Sequence, residues 1–150
     1  MDFDWNKALA GKLGEDAKEN TQRCKEIAED LKKIVNGDYC RPEDADYGGD
    51  MGLWIDTPKE GVPEGYTPVT IDDYFDDNYG VRTTIDDRGE VYSTSVCIAW
   101  GGPNIYIDTE TGAVEMYWWS SRCCYPIPGS VAEMIDDWAQ ERFDTNFRRN

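Results

Sequence analysis

The stretch "VRTTIDDRGEVYSTSVCIAWGGPNIYIDTETGAVEMYWW", Val81 to Trp119, decides the fold. Runs rich in β-branched and aromatic residues are broken by turn signals at Asp87 to Gly89, Gly101 to Pro103 and Thr109 to Gly112, the pattern of an antiparallel meander of about four strands. Alternation along these runs puts Tyr92, Val96, Ile98 and Trp100 on one face with Ile105, Ile107, Val114, Met116 and Trp118. That face is the predicted core. Tyr106, Tyr117 and Trp119, beside Glu115, fall on the other face, where exposed aromatic rings would serve as anchors for a protein interface.

Helices flank the meander. Residues 15 to 36 space Ala17, Cys24, Ala28, Leu31 and Val35 at helical intervals and stop at Asn36-Gly37. At the other end, Ser130 and Glu133 read as a capping box, and Val131, Met134, Ile135 and Trp138 form an apolar stripe that ends near Phe143. The expected architecture is α+β, with the N-terminal and C-terminal helices packed on one face of the sheet. At 150 residues one domain is expected, made of an N-terminal helical segment (1–37), a long acidic loop (38–69) with a short strand at Leu53 to Asp56, and a helix, meander and C-terminal helix (70–150).

Composition narrows the function. With 39% hydrophobic and 13% aromatic residues, the chain carries enough apolar surface to fold. No apolar run approaches the roughly 20 residues that span a bilayer, and "MDFDWNK" is no signal peptide, so a cytoplasmic protein is expected. The five cysteines are odd in number, and Cys123-Cys124 are vicinal, which suits buried reduced thiols better than a disulfide framework. There is no histidine, which excludes a Ser/His triad, a Cys/His nucleophile pair and a Cys/His zinc site.

Net charge is −16, and its distribution matters more than its size. Residues 1–37 hold 8 acids against 7 bases, residues 38–90 hold 15 against 4, and residues 91–150 hold 8 against 4. The middle third would steer a basic partner and repel nucleic acid and anionic membranes. Its focus is "TIDDYFDDNYG", residues 70–80, which opens with a T-x-x-D capping box, Thr70 to Asp73. On a helix, Ile71, Tyr74, Phe75 and Asn78 would pack while Asp72, Asp73, Asp76 and Asp77 formed a strip with about one charge per 2 Å, against about one per 1.7 Å in duplex DNA. The like-charged pairs 72/76 and 73/77 each cost such a helix about 0.2 to 0.5 kcal/mol. Asp44, Asp46 and Asp50 in the loop and Asp86 and Asp87 at a hairpin tip would extend the strip if the fold brought them alongside.

Other uses of these carboxylates fit less well. A twelve-residue calcium loop starting at Asp44 has Ile55 where the bidentate glutamate belongs. General acid–base chemistry needs one carboxylate in an apolar pocket and a second across a cleft, whereas Asp-Asp dipeptides read as solvated. No cofactor and no metal are expected.

The acidic segments "TIDDYFDDNYG" and "EDADYGGD" resemble those of the small anti-defence proteins of phages and plasmids, the anti-restriction and anti-CRISPR inhibitors, several of which mimic nucleic acid. The segment "AWGGPNIYIDTETGAVEMYWW" is similar to hairpins in proteins of mobile elements. The resemblance implies a non-enzymatic DNA mimic acting in a bacterial host cell. It would occupy the basic groove of a Cas effector or restriction nuclease, without itself binding nucleic acid or membrane. The alternative is an immunity protein that neutralises a nuclease toxin; a carboxylate-based enzyme ranks below both.

Overall fold

Helix α1, Glu15–Asn36, buries Cys24, Ile27, Ala28, Leu31 and Ile34, the stripe its 3.6-residue period dictates. It stops where the sequence predicts. Gly37 takes a left-handed φ of 74°, its N–H bonds the Ile34 carbonyl at 3.2 Å, and the Asp38 N–H bonds the Lys33 carbonyl at 2.8 Å. These two bonds satisfy carbonyls that the helix end leaves open. The computed structural model describes residues 15–44, 51–118 and 121–147.

The region expected to be one long loop with a single short strand contains a small antiparallel sheet. Strand β1 (Tyr39–Pro42) lies between β2 (Ile55–Asp56) and β3 (Tyr66–Pro68). Each strand, of two to four residues, is too short to show an alternating pattern, and the segments between them are rich in Gly and Pro. The sheet carries a second core of Ile34, Trp54 and Val69, packed against Tyr39, Tyr74 and Met134.

Strands β4 (Gly80–Ile85), β5 (Val91–Ala99), β6 (Asn104–Asp108), β7 (Ala113–Trp118) and β8 (Ser121–Pro126) form an antiparallel sheet in chain order. The fold is α+β, as expected, with five strands in this sheet rather than about four. The added strand, "SRCCYP", lacks apolar–polar alternation and ends in a proline that an edge strand tolerates. Register aligns Val96, Ile107, Val114 and Tyr125 in one row and Ile105, Met116 and Cys123 in the next. The α1 stripe packs on this face, as do Val131, Ile135, Trp138 and Ala139 of helix α3 (Gly129–Phe147).

Three residues assigned to the core face lie elsewhere. Tyr92 and Trp100 are 71% and 62% exposed, and Trp118 is 37% exposed at the end of β7. Irregularities at both ends of β5 are responsible for the first two. Ile85 pairs with Val91 and Thr84 with Ser93, so Tyr92 is the extra residue and Val91 packs on the core instead. Cys97 pairs with Tyr106 and Ala99 with Ile105, so Ile98 is extra and Trp100 emerges on the outer face. A single inserted residue reverses the side-chain parity of everything beyond it.

Helix α3 also departs from its expected limits. It starts at Gly129, with the Pro128 carbonyl accepting from the N–H groups of Val131 and Ala132, so Ser130 lies inside the first turn rather than capping it. It runs to Phe147, a full turn past Phe143. Its Asp136 Oδ1 accepts the hydroxyls of Thr94 and Thr109, each at 2.8 Å, and Gln140 bonds the Val91 N–H and the Gly89 carbonyl. These bonds fix α3 to the β4–β5 hairpin and to the turn after β6. No helix among the described residues is long and apolar enough to cross a membrane.

Candidate protein-binding surface

The acidic stretch begins as predicted and then departs from the helical wheel. Thr70 caps helix α2 (Ile71–Tyr74): its hydroxyl accepts the Asp73 N–H at 3.1 Å, and the Asp73 carboxylate accepts the Thr70 N–H at 2.9 Å. The helix lasts one turn and closes at Phe75. Asp76 and Asp77 follow in a turn, where Asn78 donates to the Phe75 carbonyl at 2.7 Å and accepts the Gly80 N–H at 3.0 Å. Those two local bonds, together with the like-charged 72/76 and 73/77 spacings, favour ending the helix over a second turn. The packing side holds all the same, since Phe75 is buried and Ile71 and Tyr74 pack against the main core.

The four aspartates have different roles. Asp72 is exposed yet accepts the Trp138 indole N–H at 3.0 Å, a neutral donor that brings no counter-charge. Asp73 receives the Arg41 Nε at 3.0 Å, with both side chains 23% exposed, so its charge is largely compensated. Burial alone would raise the Asp73 carboxyl, but the Arg41 guanidinium and the Thr70 hydrogen bonds outweigh it and hold the group below the usual carboxylate range. Asp76 and Asp77 are exposed. Asp73 is thus a structural lock, while Asp72, Asp76 and Asp77 carry the outward charge.

The remaining predicted positions scatter. Asp44 is exposed in the turn after β1, and Asp46, Asp50 and Trp119 lie outside the described residues. Asp86 accepts the N–H groups of Arg88 and Glu90 and shapes the β4–β5 turn; Asp87 is exposed beside it. Tyr106 and Tyr117 meet edge to face at 6.0 Å on the outer side of the large sheet. Tyr117 donates to Glu115 at 2.7 Å and lies under the Arg122 guanidinium at 5.6 Å. Glu115, only 6% exposed, is satisfied by Tyr117, Thr111 and Arg122. This part of the aromatic face is tied into its own sheet.

Folding brings to the acidic stretch partners that are distant in sequence. One cleft beside it is lined by Glu26, Asp30 and Arg23 of α1, by Asp73, Asp77 and Asn78, and by Trp54 and Tyr74. A second is lined by Asp72 with Asp137, Glu141 and Arg142 of α3, the Arg142 guanidinium lying 4.8 Å over the Trp138 ring. The first holds four carboxylates and one guanidinium, and the second holds three and one. Glu26/Asp30 and Asp137/Glu141 are i,i+4 pairs, a spacing visible in the sequence and a sign that each pair shares one helix face. Comparison with protein-family models, with curated proteins and with solved structures returned no match, so the chemistry of this surface rests on its own geometry.

Asp30 is the unusual member. Burial pushes its carboxyl above the ordinary range, with Lys33 and a 3.5 Å hydrogen bond from the Tyr74 hydroxyl compensating only in part. Among the described residues no cation lies within ion-pair distance of Glu26, Asp30 or Asp77; the pairs found are Lys33–Asp56, Arg41–Asp73 and Arg122–Glu115. Among the same residues no cluster of carboxylates or thiols has the geometry to hold a metal ion. The four buried cysteines, Cys24, Cys40, Cys97 and Cys123, sit as small apolar side chains, and burial pushes the Cys24 thiol up to about 12.

Proposed function

We propose that this protein is a non-enzymatic inhibitor that lays the acidic surface around Asp72–Asp77 into the basic nucleic-acid groove of a bacterial defence nuclease, a Cas effector or a restriction enzyme. The supporting observation is that carboxylates of α1 and of α3 each meet those of the acidic stretch in a cleft, with one guanidinium lining each. Such a surface repels DNA and attracts a lysine- and arginine-lined groove, releasing counterions from the partner much as phosphate does. The inhibitor competes for the groove, so bound nuclease and bound DNA exclude one another.

The test is competition. The nuclease's affinity for duplex DNA is measured with and without the protein, together with the Asp76→Asn, Asp77→Asn double variant, which touches neither the cap nor the Trp138 bond. Loss of DNA binding that the wild type causes and the double variant causes far less is the expected result. A nuclease that holds DNA and the protein together would refute it. Capture of a secreted nuclease toxin as a fixed, high-affinity pair would instead indicate an immunity protein.

A further inference from the structure

The cleft between α1 and the α2 turn has properties that a merely acidic surface lacks. Its volume of about 310 Å³ is at the small end of the range for ligand sites, room for a single side chain. One wall is aromatic: Trp54 and Tyr74 lie 6.4 Å apart, and Tyr39 meets Trp54 edge-on at 5.6 Å. Asp30, Glu26 and Asp77 line it together with Arg23, and none of the three carboxylates has a cation within ion-pair distance among the described residues. Trp54 adds an independent sign. It is 7% exposed, and its indole Nε1 is the one buried side-chain donor without a hydrogen-bond acceptor among the described residues. A buried donor left unpaired costs about 1–3 kcal/mol and calls for an acceptor.

We infer that this cleft takes one arginine side chain of the partner, its guanidinium bound by Asp30, Glu26 and Asp77 against the Trp54–Tyr74 wall, and the adjoining peptide carbonyl accepting from the Trp54 indole. The inference rests on the proposal that the partner presents a basic surface, and it names the residue type that anchors there. Arginine fits better than lysine because a planar, weakly hydrated guanidinium both forks onto carboxylates and stacks on aromatic rings. It adds positive charge to a cleft whose four carboxylates face only the Arg23 guanidinium from its own lining. Met51, half exposed on the 3-10 turn Met51–Leu53, also lines the cleft and is a side chain able to adapt to an occupant.

The probe is the tripeptide acetyl-Gly-Arg-Gly-amide, titrated into the whole chain while the Trp54 indole N–H resonance, assigned with Trp54→Phe, is followed by NMR. A saturable shift of that resonance is expected, weakened about tenfold or more by Asp30→Asn, since each factor of ten is about 1.4 kcal/mol. The lysine tripeptide should bind several-fold more weakly, and the citrulline tripeptide, isosteric but neutral, should leave the resonance unmoved. An unmoved indole with the arginine probe, or equal binding by Asp30→Asn, overturns the arginine site. If either occurs while the nuclease is still displaced from DNA, the cleft assignment fails and the inhibitor reading stands. Saturable binding of the arginine probe with no effect on any nuclease gives the reverse.

Discussion

Arg41 of the small sheet donates through Nε to Asp73 Oδ2 at 3.0 Å, fastening the first half of the acidic stretch to a strand 32 residues earlier. The same oxygen accepts the Thr70 N–H, so one carboxylate closes the helix cap and the inter-element bond together. Asp73→Ala should therefore lower unfolding stability by about 1–2 kcal/mol, the usual cost of losing a helix cap, as read from urea denaturation. Arg41→Met, which leaves the cap intact, should cost less.

The sign of the pH effect follows from the direction of the Asp73 shift. Its folded carboxyl is held below the ordinary value, so its contribution is present above the unfolded carboxylate pKa and is lost as pH falls through the lowered folded one. Asp30 acts oppositely. Its folded carboxyl is raised, so the folded state holds the extra proton, and stability falls as pH rises from the ordinary value toward the raised one. Asp30→Asn should remove that fall and leave the chain at least as stable at neutral pH. Denaturation midpoints from pH 3 to 7 for the wild type and both single variants separate the two effects.

Asp72 allows charge to be separated from structure. Asp72→Asn keeps an oxygen for the Trp138 indole, and Asp72→Ala does not. Because Trp138 is 6% exposed, the alanine variant should lose about 1–3 kcal/mol, while the asparagine variant should stay close to wild type. Thermal melts of the pair check this.

Asp136 holds α3 on the sheet through two hydroxyls, and Thr94 is 1% exposed. Asp136→Ala strands those hydroxyls and should cost about 2–3 kcal/mol in urea unfolding, more than any single change among Asp72, Asp76 and Asp77 to asparagine.

The elements that could be read from the sequence are those whose causes are local. The helix stop at Gly37, the Thr70–Asp73 box and the three hairpin turns each depend on a few neighbouring residues and hold, whereas the Ser130–Glu133 box fails because α3 already starts at Gly129. Tyr92 and Trp100 were misplaced because the extra residues in β5 arise from pairing with β4 and β6, which the alternation of one strand does not encode. The same limit applied to the acidic stretch. Its charges and its cap were visible, but the bonds that engage Asp72 and Asp73 come from Trp138 and Arg41, 66 and 32 residues away. Glu26 and Asp30 are separated in sequence from Asp73 and Asp77 by more than 40 residues, and only the folded chain brings them to one cleft.

Charge complementarity at this surface also predicts a steep salt dependence: raising salt from 0.05 to 0.5 M shortens the Debye length from about 14 to about 4 Å and should weaken the nuclease complex severely. A salt-insensitive complex would shift attention to the aromatic face at Tyr106 and Tyr117.

The most direct measurement is DNA competition on a captured nuclease. The wild-type chain is immobilised in an extract containing Cas effectors, restriction enzymes and nuclease toxins, and the bound nuclease is challenged with duplex DNA. DNA should elute the nuclease, and the Asp76→Asn, Asp77→Asn variant should retain far less of it. A nuclease that stays bound while also holding DNA, or that binds the double variant as well as the wild type, would contradict the inhibitor reading.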